Sequence, residues 1–275
     1  MNIMTIVYSI ASIGGLGLLF GIGLGYASKK FAVPVDPKVP LIRDVLPGAN
    51  CGGCGYAGCD AFAKAVAEGD ANPEGCPVGG IKVAQQVADI LGLTVEEKDP
   101  TTAFVKCNGT CEHSQNHYKY YGIQDCNEAA LLPGGGSKSC SYGCMGLGSC
   151  VKACPFDAIE IRNGVAVVIE EKCTSCGNCV EACPKGLIEI VPLKNKVRVA
   201  CNSEDKGKEV RSNCEVGCIG CRMCVRTCEY DAIDFNNQLA HINYEKCTQC
   251  QACVEKCPTN AILGLQEVKV EEKAN

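Results

Sequence analysis

The sequence has no tryptophan, only 5% aromatic residues and three histidines among 275 residues. A chain so poor in large rings fills its apolar cores badly, so metal or covalent bonds must supply much of its stability. It has no glycine-rich dinucleotide fingerprint in a βαβ setting, no flavin-attachment signature and no catalytic dyad or triad. Those absences turn attention away from hydride or acyl transfer at a site of its own. Basic tracts are also missing and the net charge is −5, which removes nucleic acid as an expected partner. His113, His117 and His241 read as surface or packing residues. His113 and His117, at i and i+4, could bind metal only on a helix.

What the chain has instead is cysteine, 25 of them. Cys173, Cys176, Cys179 and Cys183-Pro184 form a C-x2-C-x2-C-x3-C-P run, repeated as Cys247, Cys250, Cys253 and Cys257-Pro258. Such tight spacing favours a shared metal over disulfides, and structural zinc sites use separated cysteine pairs. The run is similar to the bacterial ferredoxin signature, in which three thiolates wrap one [4Fe-4S] cubane and the fourth reaches a neighbouring one. A shift of 74 residues superposes Cys140, Cys144, Cys150, Cys154, Cys173, Cys176, Cys179 and Cys183 on Cys214, Cys218, Cys224, Cys228, Cys247, Cys250, Cys253 and Cys257 without a gap. Phe156–Ile159 falls on Tyr230–Ile233 in the same shift. The stretch is a duplicated two-cluster unit.

From Ile3 to Tyr26 no residue is charged, and Lys29-Lys30 follow. As a helix this run is long enough to cross a bilayer, and the two lysines predict that the rest of the chain is cytoplasmic. It lacks the basic n-region and short apolar core of a signal peptide. Gly17, Gly21 and Gly25 offer a small-residue face for another membrane helix. Pro34, Pro37, Pro40 and Pro47 then predict a semi-rigid stalk.

Cys51-Gly-Gly-Cys54-Gly-x3-Cys59, with Cys76-Pro77 further on, predicts a separate four-cysteine cluster domain, a zinc knuckle being the alternative. Asp60–Ala67 reads as a short helix capped by Asp60 and stopped near Gly69, and Ile81–Leu91 as an amphipathic helix ending at Gly92. Strands are expected over Ala158–Arg162 and Val165–Ile169 around Asn163-Gly164, and over Ile233–Phe235 and Leu239–Ile242 around Asn236-Asn237, in a βαβ-type layout. The expected fold is α+β: transmembrane helix (1–28), stalk (29–47), four-cysteine [4Fe-4S] domain (48–98), cysteine-containing connector (99–139), ferredoxin-like units (140–192 and 193–264) and a mobile tail (265–275).

That order of anchor, proline stretch, four-cysteine domain and ferredoxin units resembles the B subunit of the Rnf complex, a membrane-bound ferredoxin:NAD+ oxidoreductase. The resemblance covers nearly the whole chain, in the long form with two ferredoxin units. It implies electron transfer from reduced ferredoxin to membrane subunits, NAD+ reduction on another subunit and coupling to Na+ or H+ translocation. It also implies a single-pass protein of the cytoplasmic membrane with its clusters on the cytoplasmic side. A related system that keeps an iron–sulfur transcription sensor reduced is the alternative destination, and a membrane-tethered zinc scaffold the alternative class.

The two-cluster ferredoxin rule groups Cys218, Cys221 and Cys224 with Cys257, Cys247, Cys250 and Cys253 with Cys228, and Cys173, Cys176 and Cys179 with Cys154. Cys144, Cys150 and Cys183 are one ligand short, because Leu147 stands where the repeat has Cys221. Cys140 is the expected replacement, with a three-iron cluster or a non-cysteine ligand as the rival. With Cys51, Cys54, Cys59 and Cys76, five clusters are accounted for. Cys107, Cys111, Cys126, Cys201 and Cys214 remain. Cys126-Asn127 reads as the counterpart of Cys201-Asn202, leaving Cys107 and Cys111 without one. A sixth cluster is expected on Cys107, Cys111, Cys126 and either Cys201 or Cys214, against free thiols.

Overall fold

The computed structural model describes residues 3–31, 36–95 and 99–265. The expected tail beyond Leu265 lies outside the described residues, as do residues 32–35 of the proline stretch. Helix α1 runs Ile3–Lys30 and closes on Lys29 and Lys30. Some of its side chains, such as Ile6 and Val7, are outside the description, and among the described residues no helix is long and apolar enough to cross a membrane.

The four-cysteine domain is three helices packed together. α2 (Lys38–Val45) takes up eight residues of what the sequence predicts as a stalk. Val39, Ile42, Val45 and Leu46 recur at helical spacing, and Ile42 and Leu46 are buried against Phe62, Val66 and Val87. Prolines Pro37 and Pro40 sit at its start, where a missing N–H costs nothing. α3 (Cys59–Glu68) begins after Gly58 with no side-chain cap. Asp60 is therefore not the cap the sequence predicts: it lies in the first turn and accepts a 2.8 Å bond from Arg43. α4 (Gly80–Leu91) ends on left-handed Gly92.

The remaining described residues form two units built alike. In the first, β1 (Thr101–Val105) pairs antiparallel with β4 (Ile188–Pro192), Val105 opposite Ile188. Between them in sequence lie α5 (Cys126–Ala130), α6 (Ser149–Ala153), the hairpin β2 (Ile159–Arg162) and β3 (Val165–Val168), and α7 (Asn178–Glu181). In the second, β5 (Arg198–Val199) pairs with β8 (Ile262–Leu263), Val199 opposite Ile262. They enclose α8 (Gly207–Asn213), α9 (Met223–Thr227), the hairpin β6 (Ile233–Asn236) and β7 (Leu239–Ile242), and α10 (Ala252–Glu255).

All four described sheets are antiparallel pairs, so the βαβ layout expected from sequence is replaced by hairpins and closing strands. The first turn is Asn163-Gly164, both at positive φ, which matches the twist of a two-residue hairpin. The second turn is Asn237-Gln238, one residue later than expected, because Asn236 pairs with Leu239.

β1 begins the first unit at Thr101, so the segment expected to be a connector belongs to that unit almost from its first residue. Matching Val105 to Val199 sets an offset of 94 before the cluster motifs, against 74 after them. The difference is an insertion in the first unit that carries Cys111 and Cys126. Equivalent backbone bonds confirm the match: Lys106 N–H donates to Leu187 O at 2.7 Å, and Ala200 N–H to Ala261 O at 2.8 Å.

Each unit has a small core in which aliphatic side chains and cysteines alternate, such as Ile159, Val165, Cys150 and Cys179 in the first. A polar joint holds the units together. Buried Arg198 donates Nε to Asn195 O at 2.7 Å and Nη1 to Glu170 at 2.9 Å, and lies 5.2 Å from the Phe104 ring centroid. Lys196 pairs with the same Glu170. Burial pushes the Glu170 carboxyl up, but these cationic bonds outweigh it and hold it below its ordinary value.

Candidate metal centres

The glycine-rich loops and one-turn helices carry the cysteines, and the fold collects them in fours. Cys51, Cys54, Cys59 and Cys76 line one cavity. Cys218, Cys221, Cys224 and Cys257 line a second, and Cys228, Cys247, Cys250 and Cys253 a third. Cys179 has Cys173, Cys176 and Cys154 as its thiol neighbours.

Two groups differ from those expected on sequence. Cys144, Cys150 and Cys183 share their cavity with Cys126, not Cys140. Cys126 heads α5, where Asp125 caps the helix and Ser149 Oγ accepts the Cys126 N–H at 2.6 Å. The inserted segment thus supplies the thiol that Leu147 lacks. Cys140 instead lines one cavity with Cys107, Cys201 and Cys214. Cys111 is exposed, with its sulfur packed by Gly164 and in none of these groups.

The counterpart of Cys201-Asn202 is Cys107-Asn108, in Val105-Lys-Cys-Asn and Val199-Ala-Cys-Asn, and not Cys126-Asn127. That repeat was present in the sequence, hidden by the change of offset from 94 to 74. His113 and His117 lie in turns rather than on a helix, and His113 Nδ1 is 3.5 Å from Glu215.

The donor sets fit cubanes. Among the described residues no group of three or more His, Cys, Asp or Glu is arranged to hold a single metal ion. Each of the five cavities is lined by four cysteines. Backbone amides point at several sulfurs: Gly79 N–H at Cys76 and Ala103 N–H at Cys173, both 3.4 Å. Leu187 N–H reaches Cys183 at 3.4 Å, and its repeat equivalent Ala261 N–H reaches Cys257 at 3.3 Å. Such bonds stabilise a thiolate and tune the potential of what it holds. Burial pushes the free thiols the other way, Cys150, Cys201 and Cys253 to about 12 and Cys179 and Cys224 to about 11. Loading a cluster must therefore expel protons from these sites.

Two stretches of the chain match "4Fe-4S dicluster domain" families at residues 136–199 and 217–261, with a third such match at 172–233. Residues 46–78 match a "Putative Fe-S cluster" family. The B subunit of the Na+-translocating ferredoxin:NAD+ oxidoreductase complex of Acetobacterium woodii is 50% identical over 260 residues, 94% of this chain and 78% of the relative. The B subunit of the ion-translocating oxidoreductase complex of Methanosarcina acetivorans is 47% identical over 94% of this chain and 97% of its own length.

The chain belongs to the Rnf B-subunit family.

Its relative in Clostridium ljungdahlii, the B subunit of a proton-translocating ferredoxin:NAD+ oxidoreductase complex, is 43% identical over 100% of both chains. This Rnf protein carries several [4Fe-4S] clusters, since the dicluster matches cover both repeated units. Cys107 falls outside every matched stretch.

The thiol groups of the four-cysteine domain adjoin those of the first unit, and within each unit the two groups lie side by side. A Cβ on Gly53 would stand 2.6 Å from Cys176 O, and Asn178 Nδ2 donates to Cys51 O at 3.1 Å. Only glycine allows that approach, which seats the four-cysteine domain against the first unit. Cys150 neighbours Cys179 across that unit, and Cys253 neighbours Cys224 across the second.

Proposed function

We propose that this chain is the electron-carrying subunit of an Rnf-type membrane complex, receiving electrons from reduced ferredoxin and delivering them to membrane subunits. NAD+ reduction on another subunit and Na+ or H+ translocation then follow. The observation that carries this is the gathering of cysteines into all-thiol fours in both units and in the four-cysteine domain, with that domain seated directly against the first unit. Each bound cubane takes up and gives back one electron at a time, at low potential.

The chain's own residues hold the clusters in order, bury one or more sulfurs at several of them and aim N–H groups at others. Cys51, Cys54, Cys59 and Cys76 hold one cluster, Cys154, Cys173, Cys176 and Cys179 a second, and Cys126, Cys144, Cys150 and Cys183 a third. Cys218, Cys221, Cys224 and Cys257 hold a fourth, and Cys228, Cys247, Cys250 and Cys253 a fifth. Cys221 and Cys250 are exposed, so the second unit is where a soluble donor comes nearest to bound iron.

The membrane end is α1. Its 28 residues would extend about 42 Å. Ile13, Leu19 and Leu24 are each at least 70% exposed, so among the described residues of the helix no apolar face is buried on the rest of the chain. Lys29 and Lys30 favour a cytoplasmic position for everything after them.

The test is direct. Reduced ferredoxin added to the anaerobically purified full chain, with neither NAD+ nor flavin present, is expected to bleach its visible absorbance. Absence of bleaching with dithionite-reducible clusters present would refute ferredoxin as the donor.

A further inference from the structure

We propose that duplication created one more [4Fe-4S] site, between the two units, held by Cys107 and Cys140 from the first and Cys201 and Cys214 from the second. The inference rests on the electron-carrier reading above and adds to it the junction that makes the series continuous.

The four residues are two copies of one pair. Cys107 and Cys201 each follow the closing strand of their unit, β1 and β5, at equivalent positions. Cys140 and Cys214 are related by the 74-residue shift that relates all the cluster motifs. Their side chains line one cavity. The backbone ties the halves together at that place: Asn108 N–H donates to Ala200 O at 3.1 Å, and Ser114 pairs in an antiparallel bridge with Cys214. A symmetric pair of two-thiol half-sites is incomplete in either unit alone and becomes a four-thiol site only where the two meet.

Charge supports an anionic occupant. Lys138 is 6% exposed, lines this cavity and donates Nζ to Gly109 O at 2.6 Å. Lys106 lines the cavity as well, against one carboxylate, Asp205. Lys185, whose Nζ is buried without a hydrogen-bond partner, lines the adjoining cavity of Cys126, Cys144, Cys150 and Cys183 while acting electrostatically on Cys140 and Cys107. Buried cations are costly unless something negative lies beside them, and a cubane on four thiolates is negative. Each thiol would lose its proton as its sulfur binds iron, the iron and sulfide arriving as in any such cluster.

Position gives the site its role. Cys144 N–H points at Cys107 Sγ from 3.4 Å, so the site abuts the Cys126, Cys144, Cys150 and Cys183 group. On its other side Cys201 lies against Cys218, of the Cys218, Cys221, Cys224 and Cys257 group. Without an occupant, the second unit's clusters are separated from the first unit's by this gap.

Iron and acid-labile sulfide on the anaerobically purified full chain provide the test. Six cubanes require roughly 24 irons per chain and five roughly 20. The expected result is roughly 24, with Cys201→Ser losing about four and Cys111→Ser losing none. The double variant Cys126→Ser with Cys201→Ser is expected to lose about eight, because the two thiols serve different clusters. A wild-type total near 20, or a double variant losing no more than either single one, would overturn the proposal. A chain carrying no iron–sulfur cluster at all would instead overturn the electron-carrier reading. If the variants do not fold, the wild-type total still decides.

Discussion

Cys150 shows what the cysteines cost the chain before they are filled. Burial raises its thiol to about 12, with Cys144, Cys126, Cys183 and Cys179 adding like-charge repulsion if it ionises. A raised acid favours the protonated fold, so this contribution is fully present below the ordinary thiol value of about 8.5 and is lost as pH climbs towards 12. The cluster-bound state runs oppositely, since its sulfurs have given up their protons. Cluster retention against a chelator should therefore strengthen as pH rises from about 7 to about 9, measured by the remaining visible absorbance. Retention that is flat or weaker with pH would contradict burial as the dominant cause. Gly53 makes a related point in geometry: the sequence shows a glycine between two cysteines, but only the structure shows that its missing Cβ admits Cys176 O.

At the scale of elements, α2 is the piece most easily misread. Prolines around it predict an extended stalk, yet Ile42 is fully buried and packs with Phe62 and Val87. Ile42→Ala removes buried methyl groups and should cost about 2 to 4 kcal/mol locally. The expected outcome is selective loss of the Cys51, Cys54, Cys59 and Cys76 cluster on mild heating, the other clusters remaining. Uniform loss of all clusters would mean that this domain is not a separate unit of stability.

Hairpins were legible from sequence, because Asn163-Gly164 and alternating valines carry a local signal. The closing strands β1 and β5 were not, because their partners lie 83 and 63 residues away across the registers Val105–Ile188 and Val199–Ile262. The same distance concealed that Cys126 joins Cys144, Cys150 and Cys183. Spacing along the chain favoured Cys140, while α5 folds back and puts Cys126 into the cavity.

For the molecule as a whole, the duplicated motifs announced two units, but not that the units touch through their equivalent cysteines. The joint at Glu170, Lys196 and Arg198 fixes the units' relative position, and the inter-unit cavity depends on it. The central claim is a continuous series of clusters from the exposed second unit to the four-cysteine domain that follows α1. Paramagnetic clusters packed this closely broaden one another's resonances, and isolated ones do not. Low-temperature EPR of the fully reduced full chain is predicted to show broad, spin-coupled signals throughout. A set of sharp, independent spectra that sum without interaction would contradict the continuous series.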